Sequence, residues 1–175
     1  MDKKTLRKEM IQKRLSLSQE QFSFKSSIIH QKINQLDIFK NAQSIGIYLS
    51  YKNEVDTFKL INQIVSSKDI YVPRIQGKMM DFVAFQSYKD LKENRYGILE
   101  PTGNQINNNP DLLIVPLVAY DLNNNRLGYG GGFYDRFLKN YQGTTIGIAF
   151  DFQQVKKQKI ENQDLPLDII INDKK

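Results

Sequence analysis

The run Leu112-Leu113-Ile114-Val115-Pro116-Leu117-Val118 contains no polar side chain, and it constrains the fold more than any other stretch. A strand with one wet face alternates apolar and polar residues, whereas a strand apolar at successive positions needs cover on both faces. Short strand-like apolar runs recur at 44–49, 70–73, 80–85, 144–150 and 169–171. Stretches with helical spacing lie between several of them. This alternation predicts an α/β fold, a three-layer sandwich with a largely parallel central sheet and helices on both faces. At 175 residues the chain fits one domain, 1–175.

Residues 2–15 read as an amphipathic helix with Leu6, Met10, Ile11 and Leu15 on one side and Lys3, Lys4, Arg7, Lys8, Lys13 and Arg14 elsewhere. Basic residues in a first turn oppose the helix dipole, which makes an anionic ligand worth considering there. Ser18 with Gln21 reads as a capping box for a helix carrying Phe22, Ile29, Ile33 and Leu36. Asp56 or Thr57 can cap a helix with Leu60, Ile61, Ile64 and Val65 as its stripe. Pro73 is expected at a strand end, where a missing N–H is tolerated. Residues 88–95 read as a polar connection, and 133–141 as a helix.

Between the buried run and that last helix lies Arg126-Leu127-Gly128-Tyr129-Gly130-Gly131-Gly132-Phe133-Tyr134-Asp135-Arg136, with four glycines in five residues. Glycines let successive N–H groups turn inward, and a helix starting near Gly132 would add its unpaired donors, so the stretch suits an anion. Asp135 would sit one turn inside the helix, where a carboxylate beside phosphates is best shared with a cation. Arg126 and Arg136 bracket the loop. A tight strand-to-helix turn without ligand is the competing reading, since the spacing matches neither a P-loop nor the full dinucleotide fingerprint.

The chain has no cysteine, which excludes disulfides, thiolate metal sites and a cysteine nucleophile. Its one histidine, His30, lies in a polar-rich helical stretch and reads as structural, facing solvent or partly buried. The net charge of +6 is spread without an arginine-rich run. It suits polyanionic small molecules, and no nucleic-acid partner is expected. No run approaches a membrane span and the start lacks the apolar core of a signal peptide, so a cytoplasmic monomer is the expectation.

Ligands in open α/β sheets bind beyond the carboxyl ends of the strands, which points to the loop 50–55 after the first strand. Glu54 there would by itself read as a solvated glutamate. The string 126–136 resembles the signature of 5-formyltetrahydrofolate cyclo-ligases, also called methenyltetrahydrofolate synthetases. Three further segments match that family in order: Lys3-Lys4-Thr5-Leu6-Arg7, then Tyr48-Leu49-Ser50 with Asn53-Glu54-Val55, and the aspartate before the last strand, Asp168.

The resemblance implies ATP as co-substrate, with contacts from 3–7 and from Arg126 through Leu127, Gly128, Tyr129, Gly130, Gly131, Gly132 and Phe133 to Tyr134. It implies 5-formyltetrahydrofolate contacts at Leu49, Glu54, Tyr129, Gly130, Gly131, Gly132 and Phe133, and magnesium at Asp135 and Asp168. Arg126, Tyr129, Gly131 and Tyr134 are the expected catalytic positions. The implied reaction is ATP-dependent closure to 5,10-methenyltetrahydrofolate. Two departures stand out: many relatives carry lysine where Gly131 stands and histidine where Gln163 stands. The alternative from another class is a nucleotide or sugar-phosphate binding module without turnover.

Overall fold

A computed structural model describes residues 2–156 and 165–175; Gln163 therefore lies outside the described residues. In chain order the elements are α1 (Lys3–Leu15), α2 (Gln19–Gln35), α3 (Asp37–Asn41), β1 (Ser44–Ile47), α4 (Thr57–Ile64), β2 (Asp69–Gln76), β3 (Met79–Ala84), β4 (Leu91–Glu93), β5 (Leu99–Pro101), β6 (Leu112–Val115), β7 (Ala119–Tyr120), β8 (Arg126–Leu127), α5 (Phe133–Leu138), β9 (Thr144–Ile148) and β10 (Ile169–Ile171).

Six strands form one sheet in the order β10-β9-β6-β1-β2-β3, parallel except where β3 pairs antiparallel with β2. The β6 strand sits inside it, as its composition requires. Leu112 and Ile114 join a core with Ile29 and Ile33 of α2, Phe39 of α3 and Leu60, Ile61 and Ile64 of α4. Leu113 and Val115 point the other way, to Leu138 of α5, Phe82 and Leu117. Consecutive residues thus feed opposite faces, and both faces are covered by helices, as the sequence predicts. The α/β expectation holds.

Local capping follows the sequence closely. Ser18 Oγ accepts from Gln21 N at 3.1 Å while Gln21 Oε1 accepts from Ser18 N at 2.9 Å, the reciprocal box. Asp56, rather than Thr57, caps α4 by accepting from Lys59 N at 3.1 Å. Thr57 is used otherwise, accepting from Ser50 N at 2.8 Å to close the base of the 50–57 loop.

Several expectations are corrected. Pro73 lies inside β2, paired with Phe82 of β3, because β1 reaches along β2 only to Tyr71 and leaves the later part without a second neighbour. Residues 91–93, inside the segment 88–95 expected to be a connection, pair antiparallel with 99–101 in a small hairpin. Helix α5 ends at Leu138, short of Tyr141, whose hydroxyl instead donates to Pro110 O. His30 is fully buried, its Nε2 lying 2.6 Å from Asp56 O, and burial lowers its pKa. On α1 the buried residues are Met10 and Arg14, one turn apart, whereas Leu15 is 46% exposed.

Two glycines in the sheet mark where neighbouring side chains leave no room for another. A Cβ on Gly147 of β9 would stand 2.6 Å from Leu167 Cδ1 and 2.8 Å from Leu117 Cδ2, and one on Gly46 of β1 would stand 2.7 Å from Leu113 Cδ1. Overpacking of this kind costs about 1–3 kcal/mol. Gly147→Val is expected to lower the unfolding free energy by about that amount, read from the urea midpoint; an unchanged midpoint would show that Leu117 and Leu167 yield without strain.

Candidate active site

The site is built where α1, the loop after β1 and the glycine stretch meet. Helix α1 packs through Met10 on Val118, Ala119 and Leu127, which anchors it to the β7-β8 hairpin. The hairpin turn is held by Asp121, whose Oδ1 accepts from Asn123 N and Asn125 N. That packing aligns one edge of α1 with the loop that follows β8. Arg7 Nε donates to Gly128 O at 2.7 Å, and its guanidinium lies about 3.4 Å from where a Cβ on Gly130 would be. Gly130 has φ 102°, a conformation open to glycine and rarely to other residues.

About two turns further along α1, Arg14 reaches the same loop. It is 1% exposed. Its Nη2 donates to the Tyr129 hydroxyl at 2.5 Å, and its guanidinium carbon lies 5.7 Å from the Tyr129 ring centroid. The Tyr129 hydroxyl in turn donates to Glu54 Oε1 at 2.7 Å. Glu54 is 6% exposed, accepts from Tyr51 N through Oε2 at 2.8 Å, and faces Arg14 Nη1 at 3.9 Å. The turn that carries it uses left-handed backbone at Lys52 and Asn53, and Asn53 Nδ2 donates to Arg14 O at 3.2 Å.

Glu54 is therefore no solvated glutamate. Burial raises its carboxyl pKa, against which Arg14, the Tyr129 hydroxyl and the Tyr51 N–H all favour the charged form. Burial likewise raises the phenols of Tyr129, Tyr134 and Tyr48, with the Glu54 charge adding to each. The Tyr134 hydroxyl is buried with no hydrogen-bond partner among the described residues. Leu49, expected to touch the folate, is buried in the main core.

The glycine stretch is more closed than the sequence suggests. Helix α5 starts at Gly132 without a side-chain cap. A Cβ on Gly131 would stand 2.8 Å from the Phe133 ring, so a lysine here requires that ring to move. Arg136 folds back over the loop: its Nη2 donates to Gly131 O at 2.9 Å, its Nε to Lys78 O at 2.8 Å, and its guanidinium covers the Phe133 ring at 5.0 Å. Arg126 points inward, donating to Leu165 O at 2.9 Å and pairing with Asp135 at 2.5 Å.

The two acids expected to share a cation have separate partners. The Asp135 side chain, 31% exposed, is paired with Arg126. Asp168 Oδ2 accepts from Thr145 N and Oγ1 at 2.8 and 2.9 Å, at the start of β9. One segment nonetheless touches both residues: Asn124 Nδ2 donates to Asp168 O at 3.3 Å, and Arg126 donates to Leu165 O and to the Asp135 carboxylate. Among the described residues no group of three or more His, Cys, Asp or Glu stands ready around a cation. The donor chemistry, hard carboxylate oxygen, suits magnesium, whose shell is ordinarily completed by water and phosphate rather than by a protein cage.

At the start of α1 the expected anionic offset is internal. Asp2 caps the helix, accepting from Lys4 N at 2.9 Å and Thr5 N at 3.0 Å, and Thr5 Oγ1 also donates to it. The basic first turn is thus no independent argument for a ligand. Arg14 is the residue sequence reasoning missed. Its one available signal was the four-residue spacing from Met10, which places both on one helical face.

A model of the 5-formyltetrahydrofolate cyclo-ligase family matches residues 1–173. A 5-formyltetrahydrofolate cyclo-ligase of Mycoplasma pneumoniae is 37% identical, with 99% of each chain covered. One from Haemophilus influenzae is 35% identical, with 87% of each chain covered. Among solved structures, the 5,10-methenyltetrahydrofolate synthetase of Aquifex aeolicus superposes with TM-score 0.90 at 32% identity, covering 100% of this chain and 91% of that one. The glycine loop, the Glu54 turn and the start of α1 all fall inside the matched region, and the chain belongs to the 5-formyltetrahydrofolate cyclo-ligase family.

Proposed function

We propose that this protein, its whole chain acting as one catalytic domain, closes 5-formyltetrahydrofolate to 5,10-methenyltetrahydrofolate at the expense of ATP, releasing ADP and phosphate. The observation that carries this reading is the meeting of three separate segments. Arg7 holds the glycine loop at Gly128, and Tyr129 of that loop holds Glu54. A phosphate-handling loop and a buried acid able to accept pterin N–H groups thus share one wall.

The chemistry explains the need for a nucleotide. A formamide oxygen is a poor leaving group, so attack by folate N10 on the formyl carbon stalls. Transfer of the γ-phosphoryl group to that oxygen forms an O–P bond as the bond to the ADP oxygen breaks. N10 then attacks the formyl carbon, its proton is lost to solvent, and the carbon–oxygen bond breaks to expel phosphate. Such transfer asks the protein for positioning and charge neutralisation rather than covalent work, in keeping with a chain that has no cysteine.

In this reading Arg7 and Lys3, with backbone N–H groups of the glycine loop, hold the phosphates. Lys4, Thr5 and Leu6 keep that turn of α1 in place. Arg126 and Arg136 supply further cationic character at the loop, in the place of the lysine that Gly131 lacks. Glu54 and Leu49 orient the folate, with Tyr129, Gly130 to Gly132 and Phe133 lining its path and Tyr134 offering its buried hydroxyl. Asp135 and Asp168 would hold magnesium, which when bound neutralises phosphate charge. Asp168 engages Thr145 through Oδ2 alone, and Asp135 would exchange Arg126 for the cation. A monomer acting in the cytoplasm completes the proposal.

Incubation with 5-formyltetrahydrofolate and magnesium-ATP is expected to produce the absorbance of methenyltetrahydrofolate, and ATP binding without product would favour a binding module instead. Asp135→Asn keeps the shape and an acceptor for Arg126, and is expected to lower kcat by about a hundredfold with an unchanged unfolding midpoint; full activity across a magnesium titration would rule out the metal assignment. Glu54→Gln is expected to raise the folate KM while the ATP KM stays put. Unaltered folate kinetics in that variant would remove the pterin contact from the account.

A further inference from the structure

We propose that Arg14 is the positioning residue of the folate end of this site, holding the Glu54 carboxylate and the Tyr129 hydroxyl in register for a ligand donor. The inference rests on the proposed role of Glu54 and extends it to a residue outside the segments that resemble the family signature.

Burying a guanidinium is unfavourable unless it is paired. A methionine or leucine at this position would continue the apolar face of Leu6 and Met10 at no such cost, since those residues already pack with Val118 and Leu127. The chain instead places an arginine, 1% exposed, against a carboxylate that is itself 6% exposed. Its contacts run as a relay: Nη2 to the Tyr129 hydroxyl at 2.5 Å, that hydroxyl to Glu54 Oε1 at 2.7 Å, and Nη1 within 3.9 Å of the same Oε1. Its main-chain carbonyl receives Asn53 Nδ2, so Arg14 grips the neighbouring residue of the Glu54 turn as well.

The relay is under-used, which distinguishes it from a finished core contact. A carboxylate offers about four lone-pair positions, and Glu54 takes one N–H and one O–H. Among the described residues Arg14 Nε and the Tyr134 hydroxyl are buried without a hydrogen-bond partner. The Tyr129 hydroxyl occupies the position in which a pterin N–H would meet Oε1, and Tyr129 is the most exposed member of the group. A ligand donor can replace it while Arg14 remains, keeping Glu54 charged and aimed. The planar fork of arginine is suited to touching two oxygens at once, and an ammonium is not.

The test compares Arg14→Gln, Arg14→Lys, Glu54→Gln and the Arg14→Gln/Glu54→Gln pair in full-length protein, reading folate KM, ATP KM and kcat, with unfolding midpoints alongside. Arg14→Gln is expected to raise the folate KM on the order of tenfold, with ATP KM and kcat within about twofold. Arg14→Lys should fall between it and the starting protein. The pair should show little more loss than Glu54→Gln alone, since the two act as one unit. A folate KM left unchanged by Arg14→Gln while Glu54→Gln raises it would overturn the role of Arg14 and leave the folate reading standing. An unchanged KM in Glu54→Gln would instead bring down the folate reading itself. If Arg14→Gln does not fold, Arg14→Lys decides: a raised folate KM supports the inference, and a starting-protein KM with only a lower midpoint overturns it.

Discussion

A carboxylate 6% exposed must be compensated from several directions at once, and here the compensation comes from its own turn and from two distant parts of the chain. Arg14 belongs to the first helix, the Tyr51 N–H to Glu54's own turn, and the Tyr129 hydroxyl to the glycine loop. Removing any one leaves a buried charge short of a partner, an arrangement that is strongly destabilising. The cluster consequently ties the amino-terminal helix and the glycine loop to the carboxyl end of β1. The Tyr129 hydroxyl fills one acceptor position of the carboxylate itself.

The sheet provides the frame for this. Because β6 is covered on both faces, its carboxyl end opens into the β7-β8 hairpin at a fixed place, and Met10 docks α1 on that hairpin. Arg7 and Arg14 then follow from the helical repeat, which sets them along one side of α1 facing the loop. The glycine loop is shaped from outside as well, by Arg7 over Gly130 and by Arg136 over Gly131 and Phe133. This local packing is a physical reason for glycine at 131. The Phe133 ring occupies the space in which a longer side chain would begin, and two guanidinium groups already stand close by.

Acids and bases at the opposite edge of the site are set by short-range geometry. Arg126 is held between Leu165 O and Asp135, so the Asp135 carboxylate is committed to an ion pair. Asp168 caps the start of β9 through one oxygen. Both are thus structural before they are anything else, and a cation reaching them competes with hydrogen bonds of ordinary strength.

Much of the fold was legible in the chain because the signals were local. Apolar runs marked the buried strands, Ser18 with Gln21 and Asp56 marked helix starts, and the glycines of 128–132 marked the loop. Those features depend on backbone periodicity and on side chains reaching their own neighbours, which a sequence displays directly. The placement of Pro73 depended on how far β1 extends beside β2, and the burial of Arg14 on a carboxylate forty residues away. Glu54 looked solvated, and Asp2 went unnoticed as the anion offsetting the basic first turn. By itself the sequence determined which segments form strands, helices and the glycine bend, since those follow from spacing and local hydrogen bonding. Only the tertiary structure decided which charges are buried and with whom they pair, because desolvation and partner distance are properties of packed elements and not of any one of them.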